Sequence, residues 1–370
     1  MNLAFDKRYD IRLARLADVG MIMRYIDEVW RKGHIMGADR ELFLYEYANG
    51  DDVNILMAID KDSGELEAIF GFLNSSDPGN PANTGKRDIW GSMWKVNDAK
   101  PNMPLLGIEL ARRVVPMTGC RMHIGNGANA QTTIPLRRLY FREKTVRMRQ
   151  YYYLNPNIDF DNFKIAVVNQ WPAVANTGAK ACAEAGACTG AKSFLVPLPT
   201  MDALRRLYCI ELEQPGAIPY KDSWYIEKRY YRHPYYTYSV YGVHDGMGVM
   251  GALLIVRVAE ANGGRALRIV DYIGRHRLFA GLRSEFERLL VEFDCEYADF
   301  FVYGFDETAI FSAGFHVRED NDINVIPNYF EPFLQQNVDI WAHYQLDGTL
   351  FFKADGDQDR PNIYRKKGLG

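Results

Sequence analysis

The order of predicted secondary-structure elements occurs twice along this chain, and this repetition limits the folds open to it. Each half has a helix, a hairpin, an apolar strand, an amphipathic helix, a second apolar strand and a short helix. In the first half the middle four elements are predicted at Ile55–Leu73, Ile89–Val96, Leu105–Val115 and Arg121–Ile124. In the second half the hairpin and the elements after it are predicted at Tyr236–Val258, Leu267–Ile273, Leu278–Phe293, Ala298–Tyr303 and Asp306–Ala313.

The turn sequences support both hairpins. Asp62-Ser63-Gly64 and His244-Asp245-Gly246 each separate two apolar runs, and Asp-x-Gly in this setting is a strong short-range hairpin signal. We therefore predict an α/β (α+β) fold with two similar lobes, each a mixed β-sheet flanked by helices. The predicted divisions are an N-terminal lobe, a linker, a C-terminal lobe and a tail, at 1–165, 166–200, 201–345 and 346–370.

Composition limits the class of protein. The chain has 370 residues, enough for two domains with their own cores. Its net charge of −3 gives no overall attraction to nucleic acid or to an anionic membrane. The longest apolar run, Val249–Val256, is too short to span a bilayer. The chain turns polar soon after Met1, and its five cysteines form no C-x-x-C pair. We therefore expect reduced thiols and a cytoplasmic location.

The order of elements resembles the GCN5-related N-acetyltransferase (GNAT) fold, present in tandem. In that family a loop reading Gln/Arg-x-x-Gly-x-Gly/Ala binds the coenzyme A diphosphate through backbone N–H groups at a helix N-terminus. Here Asn102–Gly107 and His276–Gly281 match only at the final glycine, so each loop either binds acyl-CoA or only caps a core helix. The resemblance implies acyl-CoA binding in the first lobe. Its candidate residues are Trp94, Val96, Asn97, Asn102, Leu106 and Gly107.

Four local segments are similar to those of bilobal GNAT nucleotide-sugar N-acyltransferases of O-antigen and capsule biosynthesis. These segments are Trp30-x-x-x-His34, Trp224–Tyr230, Ile326–Phe333 and Asp355–Asn362. The resemblance implies transfer of a 3-hydroxybutanoyl or acetyl group from acyl-CoA to an amino sugar carried on dTDP. It implies small-molecule substrates, no metal, no nucleic acid and no membrane, and leaves the oligomeric state open. The implied sugar-nucleotide contacts are Trp224, Tyr272, Asn328, Tyr329 and Glu331.

Three residues are candidates for the chemistry. Many GNAT enzymes donate a proton to the leaving thiolate from a helical tyrosine, and Tyr140 is the nearest equivalent here, although Arg137 or Arg138 lies nearer that position. His34 is either the base, a sugar contact or a capping histidine. Asp271 interrupts an apolar strand, so it is either in a structural ion pair or contacts the sugar ammonium.

The remaining polar residues leave several alternatives open. Glu331 offers the same choice as Asp271, while His123 lies inside an apolar strand and is expected to be structural. The basic stretch Arg137–Arg149 is either a solvated face or a contact for phosphates. We expect Asp355–Asn362 to be a hydrogen-bonded tail docked on the second lobe, because it lacks the glycine and glutamate of a calcium-binding loop.

Direct attack by the amine is expected, because no Cys or Ser lies in a recognisable activated setting. Two other functions remain. One is a tRNA-dependent aminoacyl transferase of the tandem-GNAT type that builds peptidoglycan bridges, which a continuous basic groove would favour. The other is a non-catalytic binding protein.

Overall fold

The computed structural model describes residues 3–172 and 192–364, so most of the predicted linker lies outside the described residues. The β-strands of these residues form two eight-stranded sheets and one two-stranded ribbon. Both large sheets are mixed and flanked by helices, which confirms the predicted fold class. No helix in residues 3–172 and 192–364 combines the length and the apolar character that crossing a membrane requires.

The first large sheet has strands from both ends of the chain. Its strands are β1 (Tyr9–Arg15), β2 (Ala48–Asn49), β3 (Asp52–Asp60), β4 (Leu66–Asn74), β5 (Asp88–Val96), β6 (Met122–Ala128), β7 (Lys144–Arg147) and β17 (Trp341–Tyr344). The strand order is β1-β3-β4-β5-β6-β17-β7, with β2 paired to β3. All the pairs are antiparallel except β5 with β6, which is parallel.

The second large sheet repeats this plan. Its strands are β8 (Arg149–Leu154), β9 (Phe194–Pro197), β10 (Ser239–His244), β11 (Met250–Ala261), β12 (Gly264–Gly274), β13 (Tyr297–Tyr303), β14 (His316–Val317) and β18 (Phe351–Phe352). The order is β14-β8-β13-β12-β11-β10-β9, and β12 with β13 is the parallel pair. The small ribbon pairs β15 (Tyr329–Phe330) with β16 (Phe333–Leu334).

The α-helices lie between and beside these strands. They are α1 (Leu3–Arg8), α2 (Val19–Tyr25), α3 (Ile35–Ala38), α4 (Arg40–Tyr47), α5 (Leu106–Thr118), α6 (Thr133–Leu136), α7 (Met201–Leu207), α8 (Ile210–Glu213), α9 (Ser223–Ile226), α10 (Arg283–Glu292) and α11 (Glu307–Ser312). Single-turn π-helical segments continue α2, α6 and α9, at Ile26–Trp30, Arg137–Phe141 and Glu227–Tyr231. Short 3₁₀ turns lie at Leu16–Asp18, Pro81–Asn83, Phe160–Asn162 and His276–Gly281.

The two halves of the chain exchange strands. Strand β8 follows β7 after a single residue, Met148, yet it pairs with β13 and β14 in the second sheet. In return β17, from the C-terminal half, pairs with β6 and β7 in the first sheet. The sequence-based division at 165 and 201 stays a prediction, but these two strands cross it.

Helix α5 shows how a predicted amphipathic element forms and packs. Leu106, Leu110 and Val114 lie on one face and are buried against the apolar face of the first sheet. Burial of each such side chain contributes roughly 1.5–3 kcal/mol. Gly119 ends the helix in the left-handed region, with a φ of 63°, and donates its N–H to the Val115 carbonyl. The sheet therefore holds the start of α5 beside the ends of β5 and β6.

Both parallel strand pairs separate part of the way along. Strands β5 and β6 are paired from Asp88 and Met122 to Gly91 and Gly125. Strands β12 and β13 are paired only as far as Arg268 and Asp299. Beyond these points the two strands of each pair are no longer joined by backbone hydrogen bonds.

Candidate functional site

A polar cleft of about 880 Å³ opens where β5 and β6 diverge. Its walls come from both large sheets, from the turn after α2 and from the C-terminal tail. A volume of several hundred Å³ is typical of a site for a small molecule or a cofactor. The cleft is thus formed by the two lobes together.

The lining of the cleft has more cations than anions. It has seven arginine and lysine residues and five aspartate and glutamate residues: Arg31, Arg137, Arg257, Arg265, Arg268, Lys353 and Arg360 against Glu260, Asp299, Glu331, Asp357 and Asp359. Four pairs within the lining cancel one another, namely Arg257 with Asp359, Arg268 with Asp299, Arg360 with Asp357 and Arg265 with Glu260. Arg137 also lies 3.7 Å from the carboxylate of Glu143, which is behind the lining. The surplus is positive although the whole chain carries −3. Such a lining favours an anionic ligand.

The tail that the sequence predicts to dock on the second lobe contacts both lobes. Asp359 accepts hydrogen bonds from Arg257 and from the Tyr238 hydroxyl in the second lobe. Arg360 donates from Nη1 to the Tyr47 hydroxyl in the first lobe, over 2.9 Å. Asp355 pairs with Lys221 over 2.7 Å. Docking is therefore confirmed, and the tail forms part of the floor of the cleft.

Lys353 is a buried amine at this floor. Its Nζ donates to the backbone oxygen of Asn328 over 3.2 Å and to the side-chain oxygen over 3.3 Å. The Nζ also lies 4.4 Å from the ring centre of Tyr329. Burial and the neighbouring Arg268 lower the pKa of Lys353 to about 7. The structure thus brings the predicted sugar contacts Asn328 and Tyr329 to the cleft, around an amine that is half charged near neutral pH.

Glu331 also lines the cleft. One of its carboxylate oxygens accepts the Asn362 backbone N–H over 3.2 Å, and its backbone oxygen accepts from the Asn362 side chain. Among the described residues it has no cationic partner, so its charge is available to a bound ammonium group. Of the two alternatives in the sequence, the structural ion pair is absent from the described residues.

His34 lies in the wall of the cleft, against the ring of Trp30 at 4.7 Å. Its Nδ1 accepts the Met36 backbone N–H over 3.2 Å and so caps α3. Burial lowers the pKa of His34 to about 4, so the ring is neutral at pH 7. A neutral ring that accepts at Nδ1 carries its proton on Nε2. This tautomer makes His34 a poor base, which favours the capping and sugar-contact alternatives. The His34 side chain also hydrogen-bonds to the Asn362 side chain.

A buried polar cluster lies where β5 and β6 separate. His123 on β6 and His343 on β17 share one face of the sheet, with ring centres 5.1 Å apart. The His343 Nδ1 lies 2.7 Å from a Glu143 carboxylate oxygen. Burial lowers the pKa of both histidines well below the ordinary range, so both are neutral. Arg137 supplies the cation of the cluster.

The predicted acyl-CoA residues gather at the junction of β5 and α5. Trp94 lines the cleft and donates its Nε1–H to the Gly107 carbonyl over 3.0 Å. Asn102 donates to the Asn97 carbonyl over 2.8 Å, which folds the loop onto itself. Val96 packs within 3.0 Å of the position a Gly107 Cβ would occupy. Leu106 is buried in the core, so of this residue only the backbone is available to a ligand.

The backbone at the start of α5 retains free donors. Leu106 donates its N–H to the Met103 carbonyl, and Met103 donates to the Tyr9 hydroxyl. Among the described residues, the N–H groups of Gly107 and Ile108 have no acceptor. A helix N-terminus with free N–H groups attracts phosphate. In the second lobe the corresponding loop is a 3₁₀ turn, with the His276 ring stacked on Phe305 at 4.1 Å.

Nine predicted site residues do not line the cleft: five lie at the junction of β5 and α5, namely Val96, Asn97, Asn102, Leu106 and Gly107, and four lie elsewhere, namely Asp271, Tyr272, Trp224 and Tyr140. Asp271 is fully buried, where it accepts from Lys221 over 2.6 Å and from the Tyr230 hydroxyl over 2.7 Å, as the structural ion-pair alternative requires. Tyr272 is buried in the second core, with its hydroxyl bonded to the Arg275 carbonyl. Trp224 packs beside Lys228, and Tyr140 lies half-buried on the π-helical segment. Strand alternation and packing against neighbouring elements set these orientations, and sequence spacing does not reveal them.

Sequence reasoning missed most of the polar cluster. His123, predicted to be a structural histidine, is buried and also lines the cleft. Its partner His343 lies 220 positions later in the chain and reaches it only through the strand exchange. Glycines give a local signal, because a Cβ on Gly91 or Gly125 would lie 2.2 Å or 1.7 Å from a histidine Nε2. A glycine next to a histidine on the neighbouring strand indicates that the space of a Cβ is occupied by the imidazole ring.

Comparison with known proteins shows the fold. No family model and no curated protein matches this sequence. A probable N-acyltransferase of unknown function from Enterococcus faecalis V583 matches with a TM-score of 0.50 and 9% identity, over 90% of this chain and 71% of that one. A GCN5-related N-acetyltransferase from Anabaena variabilis matches with a TM-score of 0.50 and 11% identity, over 90% and 72%. The two lobes of this chain therefore have the fold of the GCN5-related N-acetyltransferases.

Proposed function

We propose that this protein is an N-acyltransferase that moves an acyl group from acyl-CoA to the amino group of a nucleotide-linked amino sugar. The observation that carries the proposal is the cleft at the divergence of β5 and β6, which both lobes line and which has a surplus of positive charge. Acyl-CoA and a sugar nucleotide are both polyanions, so one cationic cleft suits both. The GNAT fold of the similar structures supports the acyl donor.

The first lobe is the proposed acyl-CoA lobe. The free N–H groups of Gly107 and Ile108 at the start of α5 suit the diphosphate. The Trp94 side chain connects this junction to the cleft, because its indole is bonded to Gly107 and lines the cleft. The equivalent junction in the second lobe is filled by its own aromatic side chains, Phe279 and Phe305.

The second lobe and the tail are the proposed sugar-nucleotide site. Glu331 offers a carboxylate for the sugar ammonium, and His34 is the proposed contact for a sugar oxygen in the wall of the cleft. Attack requires a neutral amine. Lys353, with its pKa of about 7, is the cleft residue best placed to accept a proton at neutral pH. A dTDP carrier and a 3-hydroxybutanoyl or acetyl group are the proposed specificity.

A free-thiol release assay tests this proposal. Acetyl-CoA and 3-hydroxybutanoyl-CoA are each offered with dTDP- and UDP-amino sugars, and with no acceptor. We expect thiol release that requires both substrates, and a new amide on the sugar by mass spectrometry. Failure of every CoA ester to raise the melting temperature would contradict acyl-CoA binding, because a ligand of the folded state stabilises it.

A pair of variants tests the acceptor site. We expect Glu331→Gln to raise the KM for the amino sugar about tenfold and leave the KM for acyl-CoA unchanged, because only the amine loses its carboxylate. Glu292→Gln is the control, since Glu292 lies on α10 and pairs there with Arg288. Equal effects on both KM values would contradict a role for Glu331 in acceptor binding.

A further inference from the structure

Arg137 is an almost completely buried cation at the edge of the cleft. Its side chain is 2% exposed, and it lines the cleft where β5 and β6 diverge. Three aromatic rings surround the guanidinium, with Trp94, Phe141 and Phe70 at 4.6, 4.8 and 5.7 Å. A charge enclosed by rings is screened little by water, so it acts strongly on a ligand nearby.

The hydrogen-bonding capacity of Arg137 is largely unused. Its Nη1 lies 3.3 Å from His123 Nδ1 and 3.7 Å from a Glu143 carboxylate oxygen. Its Nε is buried and has no partner. In the described part of the chain, no acceptor lies within hydrogen-bond distance of Nη2. The guanidinium of Arg137 has five N–H donors and one clear partner, whereas buried donors in proteins are normally paired.

Three other arginines in the cleft each have a carboxylate within hydrogen-bond distance. Arg257 makes two hydrogen bonds to Asp359, and Arg360 bonds to Tyr47 and Asp357. Arg268 donates to Asp299 and to the Asn328 carbonyl. Arg137 differs from these three, because the nearest carboxylate, that of Glu143, lies 3.7 Å from its Nη1, so its donors are available to a ligand.

The groups around Arg137 keep it charged and hold it in place. Burial lowers the pKa of Arg137 to about 10, so the guanidinium is still protonated at pH 7. His123 and His343 are neutral, and the Glu143 carboxylate is shared with His343 and with the Gln345 side chain. The Glu143 carboxylate lies 3.7 Å from Nη1, beyond hydrogen-bond distance, so it accepts none of the guanidinium N–H groups. A ligand atom in the cleft that becomes negatively charged would give the Arg137 guanidinium the partner that it lacks.

We propose that Arg137 contacts the thioester sulfur of bound acyl-CoA and stabilises the thiolate that leaves. This inference rests on the proposed function. In the step, the amine nitrogen bonds to the carbonyl carbon and the carbon–sulfur bond breaks, leaving its electron pair on sulfur. The amine loses one proton to a base in the cleft, the thiolate pairs with the Arg137 guanidinium, and solvent later protonates it. Arg137 remains protonated throughout.

The pH at which the thiol of bound CoA ionises tests this contact, and the measurement needs no amino-sugar substrate. We expect the bound thiol of free CoA, followed by the ultraviolet absorbance of the thiolate, to titrate at lower pH than in solution. The Arg137→Met variant should raise that midpoint by about one pH unit or more, and Arg137→Lys should restore part of the shift. Arg138→Met is the matched control, because Arg138 is exposed and donates to Thr145.

Turnover gives a second measurement. We expect Arg137→Met to lower kcat at least about tenfold with little change in the KM for acyl-CoA, since the pairing strengthens only as charge develops. A thioester with a more acidic leaving thiol should recover part of the loss. If Arg137→Met does not fold, Arg137→Lys and Arg137→Gln make the same comparison of charged and neutral donors.

The outcomes separate the two proposals. Failure of the wild-type protein to bind CoA would overturn both. CoA binding with the same thiol midpoint in wild type and Arg137→Met would overturn the Arg137 inference alone. A thiol midpoint that depends on Arg137, in a protein that acylates no amino sugar, would overturn the proposed acceptor and support the contact with sulfur.

Discussion

Arg257 and Asp359 form a two-point ion pair that fixes the C-terminal tail to the second sheet. Nη2 lies 2.5 Å from one carboxylate oxygen and Nε lies 3.2 Å from the other. The Tyr238 hydroxyl donates to the same carboxylate over 2.8 Å. These contacts hold the pKa of Asp359 well below its usual range. The pair therefore positions the segment that forms the floor of the cleft.

Asp359 neutralises the buried Arg257. We expect Asp359→Asn to lower the free energy of unfolding by roughly 3–5 kcal/mol, because it leaves the buried Arg257 without a counter-charge. Urea unfolding at pH 7 measures this. Asp347→Asn is the control, since Asp347 is exposed and pairs with Lys144, and we expect a change of less than about 1 kcal/mol. A similar small change in both variants would contradict the argument.

The same carboxylate predicts an acid dependence. The pKa of Asp359 is lower in the folded than in the unfolded chain, so its contribution is present above about pH 4 and is lost as the pH falls below that value. We expect wild type to lose stability between about pH 4 and pH 2 more steeply than Asp359→Asn. Parallel unfolding curves over this range would rule out a native-state role for the ionised carboxylate.

A second pH dependence follows from Lys353. Its pKa of about 7 lies below that of an unfolded lysine, so between pH 7 and about 10 the unfolded chain binds the extra proton. Its contribution to the free energy of unfolding therefore rises with pH, by at most about 1.4 kcal/mol per pH unit. We expect wild type to gain stability relative to Lys353→Met from pH 7 to pH 9. A constant difference would show that the amine is charged in the fold.

Gly125 provides a steric prediction. A Cβ there would lie 1.7 Å from His343 Nε2, so Gly125→Ala forces the imidazole to move. We expect a loss of roughly 1–3 kcal/mol, as for other overpacked positions, together with a lower kcat. Gly20→Ala is the matched control, since nothing lies within 4 Å of its added Cβ in α2, and we expect unchanged or slightly raised stability. Equal stabilities for both variants would contradict the structure around His343.

The strand exchange predicts how the protein unfolds. Among the strands of the described residues, β7 pairs only with β17 from the far end of the chain, and β8 pairs with strands of the second sheet. Each lobe therefore lacks part of its sheet when the other is unfolded, so we expect one calorimetric transition instead of two. Two separate transitions, with a calorimetric enthalpy above the van't Hoff value, would show that the lobes unfold independently.

The repeated elements and the class of fold could be predicted from the amino-acid sequence alone. Apolar spacing and turn residues act locally, so β5 and α5 lie within a few residues of their predicted bounds. The Asn97–Gly107 junction was also predictable, because every strand that is followed by a helix has a junction of this kind. The docking of Asp355–Asn362 could be inferred from its need to satisfy many polar groups.

Which polar residues contact one another depends on how the two sheets pack, and this could be seen only in the three-dimensional structure. Asp271 and Asn328 are both polar residues in apolar surroundings, yet the first is enclosed by Lys221 and Tyr230 while the second lines the cleft. The cluster of Arg137 and Glu143 with His343 depends on β17 crossing into the first sheet. Pairing between distant strands is set by the register and packing of the whole sheet, so it cannot be predicted from the residue pattern of a single segment.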